Sequence, residues 1–406
     1  MTLVAVLALT SCSSDSLVGE SPVNNEAPIA FTVSQRNTTR DDASATTGDP
    51  LQSKGYTDFG VWAYKYKETS TTAGNAVMNN YKVEYTANSG KETDWNYVGV
   101  DNQIERYWDL SYNNTKFFAY APFVATNATD KVTFDESTKT ITVPASVNKA
   151  GISKDFIYAS TTEANSTHDK VKLQFKHLGA KVNIAFRENV NGYKVELIDV
   201  KSGTEGESGI QLTPTVYDEN AQTKYTKGNY TTGSGATIKF GETVEVTPVT
   251  VGATTSSDNL VFDVPTDGLT AYPENTTTYK VLPEVPTSGD AKYAVSPTTY
   301  FVVAQPSNTT TGFTIHVSYK LIAEDNGEEI TVRDARVFIP ADQVKWESNK
   351  AYTYNFTITT ASTGSTDGTV DVTSPDVPTD KALLPIVFDQ PTIVDYENAS
   401  AVDSNI

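Results

Sequence analysis

Apolar residues recur at every second position along much of this chain. Ile29, Phe31 and Val33 alternate with Ala30, Thr32 and Ser34. Val171, Leu173 and Phe175 alternate with Lys172 and Gln174, and Val182, Ile184 and Phe186 with Lys181, Asn183 and Ala185. Tyr193, Val195 and Leu197 repeat the pattern; Phe313, Ile315, Val317, Tyr319 and Leu321 give the longest run, and Tyr352, Tyr354, Phe356 and Ile358 another. Successive side chains of a strand point to opposite faces, so each run predicts a strand with one buried and one wet face. Such strands build antiparallel sheets that pack in pairs as sandwiches. No long segment carries a helical period; short helical turns are expected near 101–105 and 340–347.

Breaks in the pattern divide the chain. Gly, Thr, Ser and Asn cluster at 69–80, 203–209 and 228–235 and are read as turns. Asn189-Val190-Asn191-Gly192 marks one domain break, and the Thr-, Ser-, Asp- and Pro-rich stretch 361–381 marks another. The expected organisation is an apolar leader at 1–12, a tether at 13–27, a β-sandwich at 28–190, a second at 191–360, and a linker with an apolar tail at 361–406. The chain is long enough for two ordinary domains.

Composition removes several function classes. Lys and Arg number 31 against 50 Asp and Glu, a net charge of −19. Phosphate binding needs a basic stripe, and none is visible, so nucleic acid is not an expected partner. The single cysteine, Cys12, cannot form an internal disulfide, so the fold must rest on apolar cores. It stands directly after the apolar run Leu3–Leu9 and Thr10-Ser11, an order like a bacterial lipobox in which the cysteine is acylated. The run is too short to span a bilayer, which takes roughly 20 residues. No Lys or Arg precedes it in this sequence.

Catalytic chemistry finds no footing in the motifs. His168, His177 and His316 do not have metal-ligand spacing, and no nucleotide-binding or nucleophile-elbow motif is present. Asp325-Asn326-Gly327-Glu328-Glu329 lacks the ligand order of a calcium loop and reads as a hairpin turn with Asn-Gly at its tip. No catalytic residue, metal or cofactor is expected. The aromatic residues Trp62, Trp95, Tyr97, Tyr107 and Trp108 have two readings: they fill a core, or they form a sugar-stacking platform.

Five segments together resemble the fimbrillin family of Bacteroidetes, in its Mfa-like branch. They are Phe59–Tyr64; Tyr107-Trp108 with Phe117–Pro122; Asp155–Ala159; Val171–Val182; and Phe338–Ala341 continuing through Trp346 to Tyr354. The resemblance implies two tandem transthyretin-like β-sandwiches, no enzymatic activity and export as a lipoprotein of the outer membrane through Cys12. It also implies assembly with other fimbrial subunits into a pilus that engages a host or bacterial surface. In that assembly an Arg-specific protease removes the N-terminal strand, and a neighbour's strand fills the groove. Ile29, Phe31 and Val33 are the candidate removable strand, Arg40 the better cleavage candidate and Arg36 the second. In the tail, Leu384, Ile386, Phe388 and Ile393 are candidate donor-strand knobs, with pairing expected to break at Pro385 and Pro391, which lack a backbone donor. The alternative function is a surface glycan-binding lipoprotein.

Overall fold

A computed structural model describes residues 27–33, 50–53, 55–67, 74–87, 94–151, 155–199, 209–221, 225–272, 278–289, 292–359, 386–388 and 391–395. Nearly all regular structure in them is strand; the exceptions are one turn of α-helix at Pro50–Ser53 and 3-10 turns at Val100–Asn102 and Ala341–Gln343. The two 3-10 turns fall at the expected helical positions.

The first sheet has eight strands in the order Lys176–His177, Ile157–Ala164, Asn114–Ala121, Asp58–Tyr66, Asn75–Tyr85, Trp95–Tyr97, Phe31–Val33 and Val171–Leu173. It curls on itself. Phe31, near one end of the strand order, meets the rings of Phe59 and Phe117, from strands three and four places away, at 5.6 and 5.9 Å, edge to face. Phe59, Val61, Ala63, Phe117, Ala119, Ile157, Val171 and Leu173 complete this inner core.

The outer face of the same sheet is buried as well. Trp62, Phe118, Tyr120 and Tyr158 pack with Ile141, Val143, Ala236, Ile238 and Phe240. Those partners belong to a four-stranded sheet ordered Val244–Ser256, Tyr230–Phe240, Thr140–Val143 and Thr133–Asp135. Asp58–Tyr66 and Asn114–Ala121 are therefore buried on both sides, which a period of two does not express.

Two further sheets enclose the second core. One runs Thr278–Tyr279, Leu269–Tyr272, Tyr293–Val295, Ala180–Asn189, Lys350–Thr359, Ile386–Phe388, with Tyr300–Val302 also on Ala180–Asn189 and Thr392–Asp395 also on Lys350–Thr359. The other runs Tyr193–Leu197, Thr311–Ala323, Ile210–Tyr217, Tyr225–Lys227, with Glu329–Ile339 and Leu260–Phe262 attached. Between them lie Val182, Ile184, Phe186, Leu212, Phe313, Ile315, Tyr319, Trp346, Tyr354 and Phe356. The chain is an all-β protein built of packed sheets.

Three expectations need correction. Ala180–Asn189 pairs in parallel with Lys350–Thr359 over nine residues, and Phe31–Val33 in parallel with Val171–Leu173, so the sheets are not wholly antiparallel. Lys181 and Asn183 are buried, not wet, so the face of their strand opposite Val182, Ile184 and Phe186 is covered too. The Gly-rich stretch 228–235 is largely strand: a Cβ at Gly233 would meet Thr254 Oγ1 at 2.6 Å, so glycine there serves a close strand approach across a bulge. Strands from both sides of position 190 also contribute to each other's cores. Ala180–Asn189 belongs to the second core, while Tyr230–Phe240 covers the first sheet and pairs with Thr140–Val143.

Candidate functional site

The N-terminal segment 27–33 is held on two sides. Phe31 is directly opposite Trp95 on one neighbour, and Phe31, Thr32 and Val33 are in register with Val171, Lys172 and Leu173 on the other. Upstream, Ile29 N donates to Arg106 O at 2.8 Å and Trp108 N donates to Ala27 O at 3.1 Å. Val171 N donates to Ala30 O at 2.8 Å, and the Tyr97 hydroxyl donates to Ile29 O at 2.7 Å. Burial raises the Tyr97 hydroxyl well above its ordinary pKa, with Glu105 adding to the effect, so it stays a proton donor.

Alternation sorts the segment's side chains as its pattern requires. Ile29 and Phe31 are 2 % and 1 % exposed, Val33 is half-buried, and Ala30 and Thr32 are half-buried on the opposite face. Burying side chains of this size contributes about 1.5–3 kcal/mol each. The segment is an integral strand of the first core. Arg36, Arg40 and Cys12 lie outside the described residues.

The tail behaves differently. Ile386–Phe388 pairs antiparallel with Phe356–Ile358, and Thr392–Asp395 with Lys350–Thr353. The two pieces follow one edge of Lys350–Thr359 and are interrupted between Phe388 and Thr392, the stretch that holds Pro391. Ile393 is 51 % exposed. Lys350 Nζ reaches Asp395 Oδ1 at 2.5 Å and Asn355 Nδ2 donates to Thr392 Oγ1 at 3.0 Å. Leu384 and Pro385 lie outside the described residues.

The remaining candidates resolve into structure. Trp62, Trp95 and Trp108 are 2–3 % exposed and sit in the two cores beside the first sheet; Tyr97 is half-buried, and Tyr107 alone of the five is exposed, at 43 %. They do not form a continuous exposed platform. The Asp325–Glu329 stretch turns the hairpin between Thr311–Ala323 and Glu329–Ile339, with Gly327 at φ 75° and Glu328 N bonded to Asn326 Oδ1 at 2.8 Å. His177 Nδ1 lies 2.8 Å from Asp155 Oδ1, which also accepts from the Tyr56 hydroxyl at 3.0 Å. Ser348 Oγ donates to His177 O at 3.0 Å and Asn349 Oδ1 accepts from His177 N at 3.1 Å, so this cluster joins the two cores. His168 and His316 are half-buried. Among the described residues no three His, Cys, Asp or Glu side chains are grouped as metal ligands.

Sequence reasoning missed Tyr97 as a tie on Ile29, and missed the stretch 106–108 as the backbone partner of 27–29. Both contacts join positions about seventy or more residues apart and leave no local signal.

The fold has a known counterpart. A fimbrial protein from Bacteroides vulgatus is 16 % identical and superposes with a TM-score of 0.51, covering 91 % of this chain and 99 % of that one. A candidate cell adhesion protein from Bacteroides uniformis is 14 % identical over 91 % of this chain and 98 % of its own, with a TM-score of 0.39. No curated protein is matched by the sequence. The fimbrillin-like family model matches residues 44–374, which include both cores apart from the N-terminal segment and the tail. A match over that much of the chain decides its kinship: the protein belongs to the fimbrillin-like family.

Proposed function

We propose that this chain is a structural subunit of a cell-surface fimbria, as stalk, tip or anchor, that supports adhesion and assembles by exchanging its N-terminal strand for a strand of a neighbouring subunit. The observation that carries this reading is the seat of Phe31–Val33. It lies between two strands rather than at an edge, and Phe31 fills the centre of an aromatic cluster. Withdrawing such a strand exposes two rows of unpaired backbone groups and an apolar hole at once. An incoming extended strand satisfies both, as in β-strand addition. Membership of the fimbrillin-like family and the likeness to the Bacteroides vulgatus fimbrial protein support a surface role.

Cleavage after Arg40, or after Arg36, cuts the covalent link between the segment and the rest of the sheet. Trypsin at low dose should therefore cut first at one of these two bonds, with the remainder of the chain intact by mass spectrometry. First cuts inside 94–151 or 292–359 would overturn the assignment.

Anchoring before maturation is assigned to Cys12, because only a thiol forms the thioether to diacylglycerol. Cells expressing Cys12→Ser should incorporate no radioactive palmitate into the protein, whereas the unaltered chain should label. Equal labelling of both removes the lipid anchor from this account.

A further inference from the structure

Beside the N-terminal segment lies a cavity of about 610 Å³, within the range of small-molecule sites. Its apolar lining includes Ile29, Ala76 and Val77, and its rim includes Ile104, Tyr107 and Leu110. Those three rim residues are 63 %, 43 % and 60 % exposed, a cluster of large apolar side chains left in water on one short stretch. The core beneath them is closed by Trp108 and Phe117, 5.9 Å apart edge to face.

The polar lining is of both signs. Lys65 Nζ pairs with Asp109 Oδ2 at 2.6 Å, and Ser111 Oγ donates to Asp109 Oδ1 at 2.6 Å. Lys65 first, and Ser111 second, hold the Asp109 carboxyl down at about 2, so it is an anion with acceptor capacity at any physiological pH. Arg106 Nε donates to the Tyr81 hydroxyl at 2.6 Å, and its guanidinium lies 5.5 Å from the Tyr81 ring centre. Among the described residues Arg106 has no carboxylate partner, which leaves the rest of its fork available. Glu105, exposed, accepts from the Tyr107 hydroxyl at 3.2 Å. Trp108 is 2 % exposed, and among the described residues its indole N–H has no hydrogen-bond partner, an arrangement that costs free energy.

We infer that this cavity is a binding site for an uncharged pyranose of a surface glycan, with the Tyr107 ring as its apolar wall and Arg106 and Asp109 as its hydroxyl partners. A sugar ring carries an apolar face of C–H groups and a rim of hydroxyls, each both donor and acceptor. It therefore needs an exposed ring beside donors and acceptors together, which is the combination on this rim. The two cations and two anions around the opening cancel, and the chain as a whole carries −19, so an anionic ligand gains nothing here. Ile29 forms part of the wall, so the site is complete in the uncleaved chain.

The test uses the full, unassembled chain, so it stands or falls independently of strand exchange. Methyl glycosides of glucose, galactose, mannose and N-acetylglucosamine are titrated one at a time, with glucuronate as the charged comparison, by ligand-observed saturation-transfer NMR. At least one neutral glycoside should bind saturably in the millimolar range. Tyr107→Ala and Arg106→Gln should each weaken it at least about tenfold, the loss of one charged hydrogen bond or one stacking wall. Tyr107 is an exposed side chain, so its variant keeps the test informative if Arg106→Gln perturbs Tyr81. No saturation by any neutral glycoside, binding unchanged in the Tyr107 variant, or tighter binding of glucuronate than of every neutral glycoside overturns the inference.

Discussion

Replacing Phe31 by Ala should lower the stability of the uncleaved chain's first core by about 3–5 kcal/mol, the range for truncating a buried phenylalanine. Phe31 is 1 % exposed and meets Phe59, Tyr97 and Phe117 edge to face at 5.6–6.0 Å. Each such ring pair adds to the simple burial of apolar area. The cavity left cannot collapse easily, because the strands on both sides are tied through the backbone. Urea unfolding followed by tryptophan fluorescence reads this directly, since Trp95 stands opposite Phe31 in the neighbouring strand. The control is Thr32→Ala, at a half-buried position whose hydroxyl makes only a 3.4 Å contact with Val171 O; its cost should stay below about 1 kcal/mol. A Phe31 effect no larger than that of Thr32 would mean that the segment is draped on the sheet rather than built into it, and strand exchange would lose its acceptor groove. After cleavage, the same substitution should speed release of the cut strand, because its largest buried side chain is then gone.

Strand-forming segments were legible in the sequence because one buried face imposes a period of two: Val171, Leu173 and Val195 are buried where Lys172, Gln174 and Lys194 are exposed. The pattern failed where a second layer covers the other face. Lys181 and Asn183 look like a wet face, yet both are buried. Strand order was not legible either. That Tyr230–Phe240 crosses to pair with Thr140–Val143 depends on the outer face of the first sheet, where Trp62, Phe118 and Tyr120 need a cover; nothing local in either segment records the pairing. The alternation of Ile29, Phe31 and Val33 identified the strand at the candidate site, but not its interior position. Of the aromatic residues whose reading stayed open, Tyr107 is the most exposed, while its neighbour Trp108 turns into the core against Phe117.

A chain ending at Thr379 should fold with a melting temperature within a few degrees of the full chain, yet form no filaments after Arg-specific cleavage. The two terminal segments explain why these outcomes separate. Phe31–Val33 is flanked on both sides and cannot leave without opening the first core. Among the described residues, Ile386–Phe388 and Thr392–Asp395 are paired through the backbone with one strand only, along the outer edge of Lys350–Thr359, although Ile386–Phe388 also lies against Glu329–Ile339, and their pairing is broken around Pro391. Ile393 is half exposed, and the Lys350–Asp395 pair is a surface ion pair of the kind that contributes about 0–1 kcal/mol. A strand seated this way covers its own edge while the chain is alone and can be given up to a better site. In the proposed exchange the better site is the interior groove that a cut N-terminal strand would vacate, with both rows of backbone groups and the apolar hole open to a partner. Insertion into the next copy is a head-to-tail contact, so it propagates into a fibre instead of closing a dimer. Electron microscopy of cleaved protein reads filament formation, and calorimetry of uncleaved protein reads folding. Filaments of normal length from the shortened chain would show that the tail is not the donor. Failure of the shortened chain to fold would show that 386–395 belongs to the second core, and the donor would then have to be sought elsewhere in the subunit.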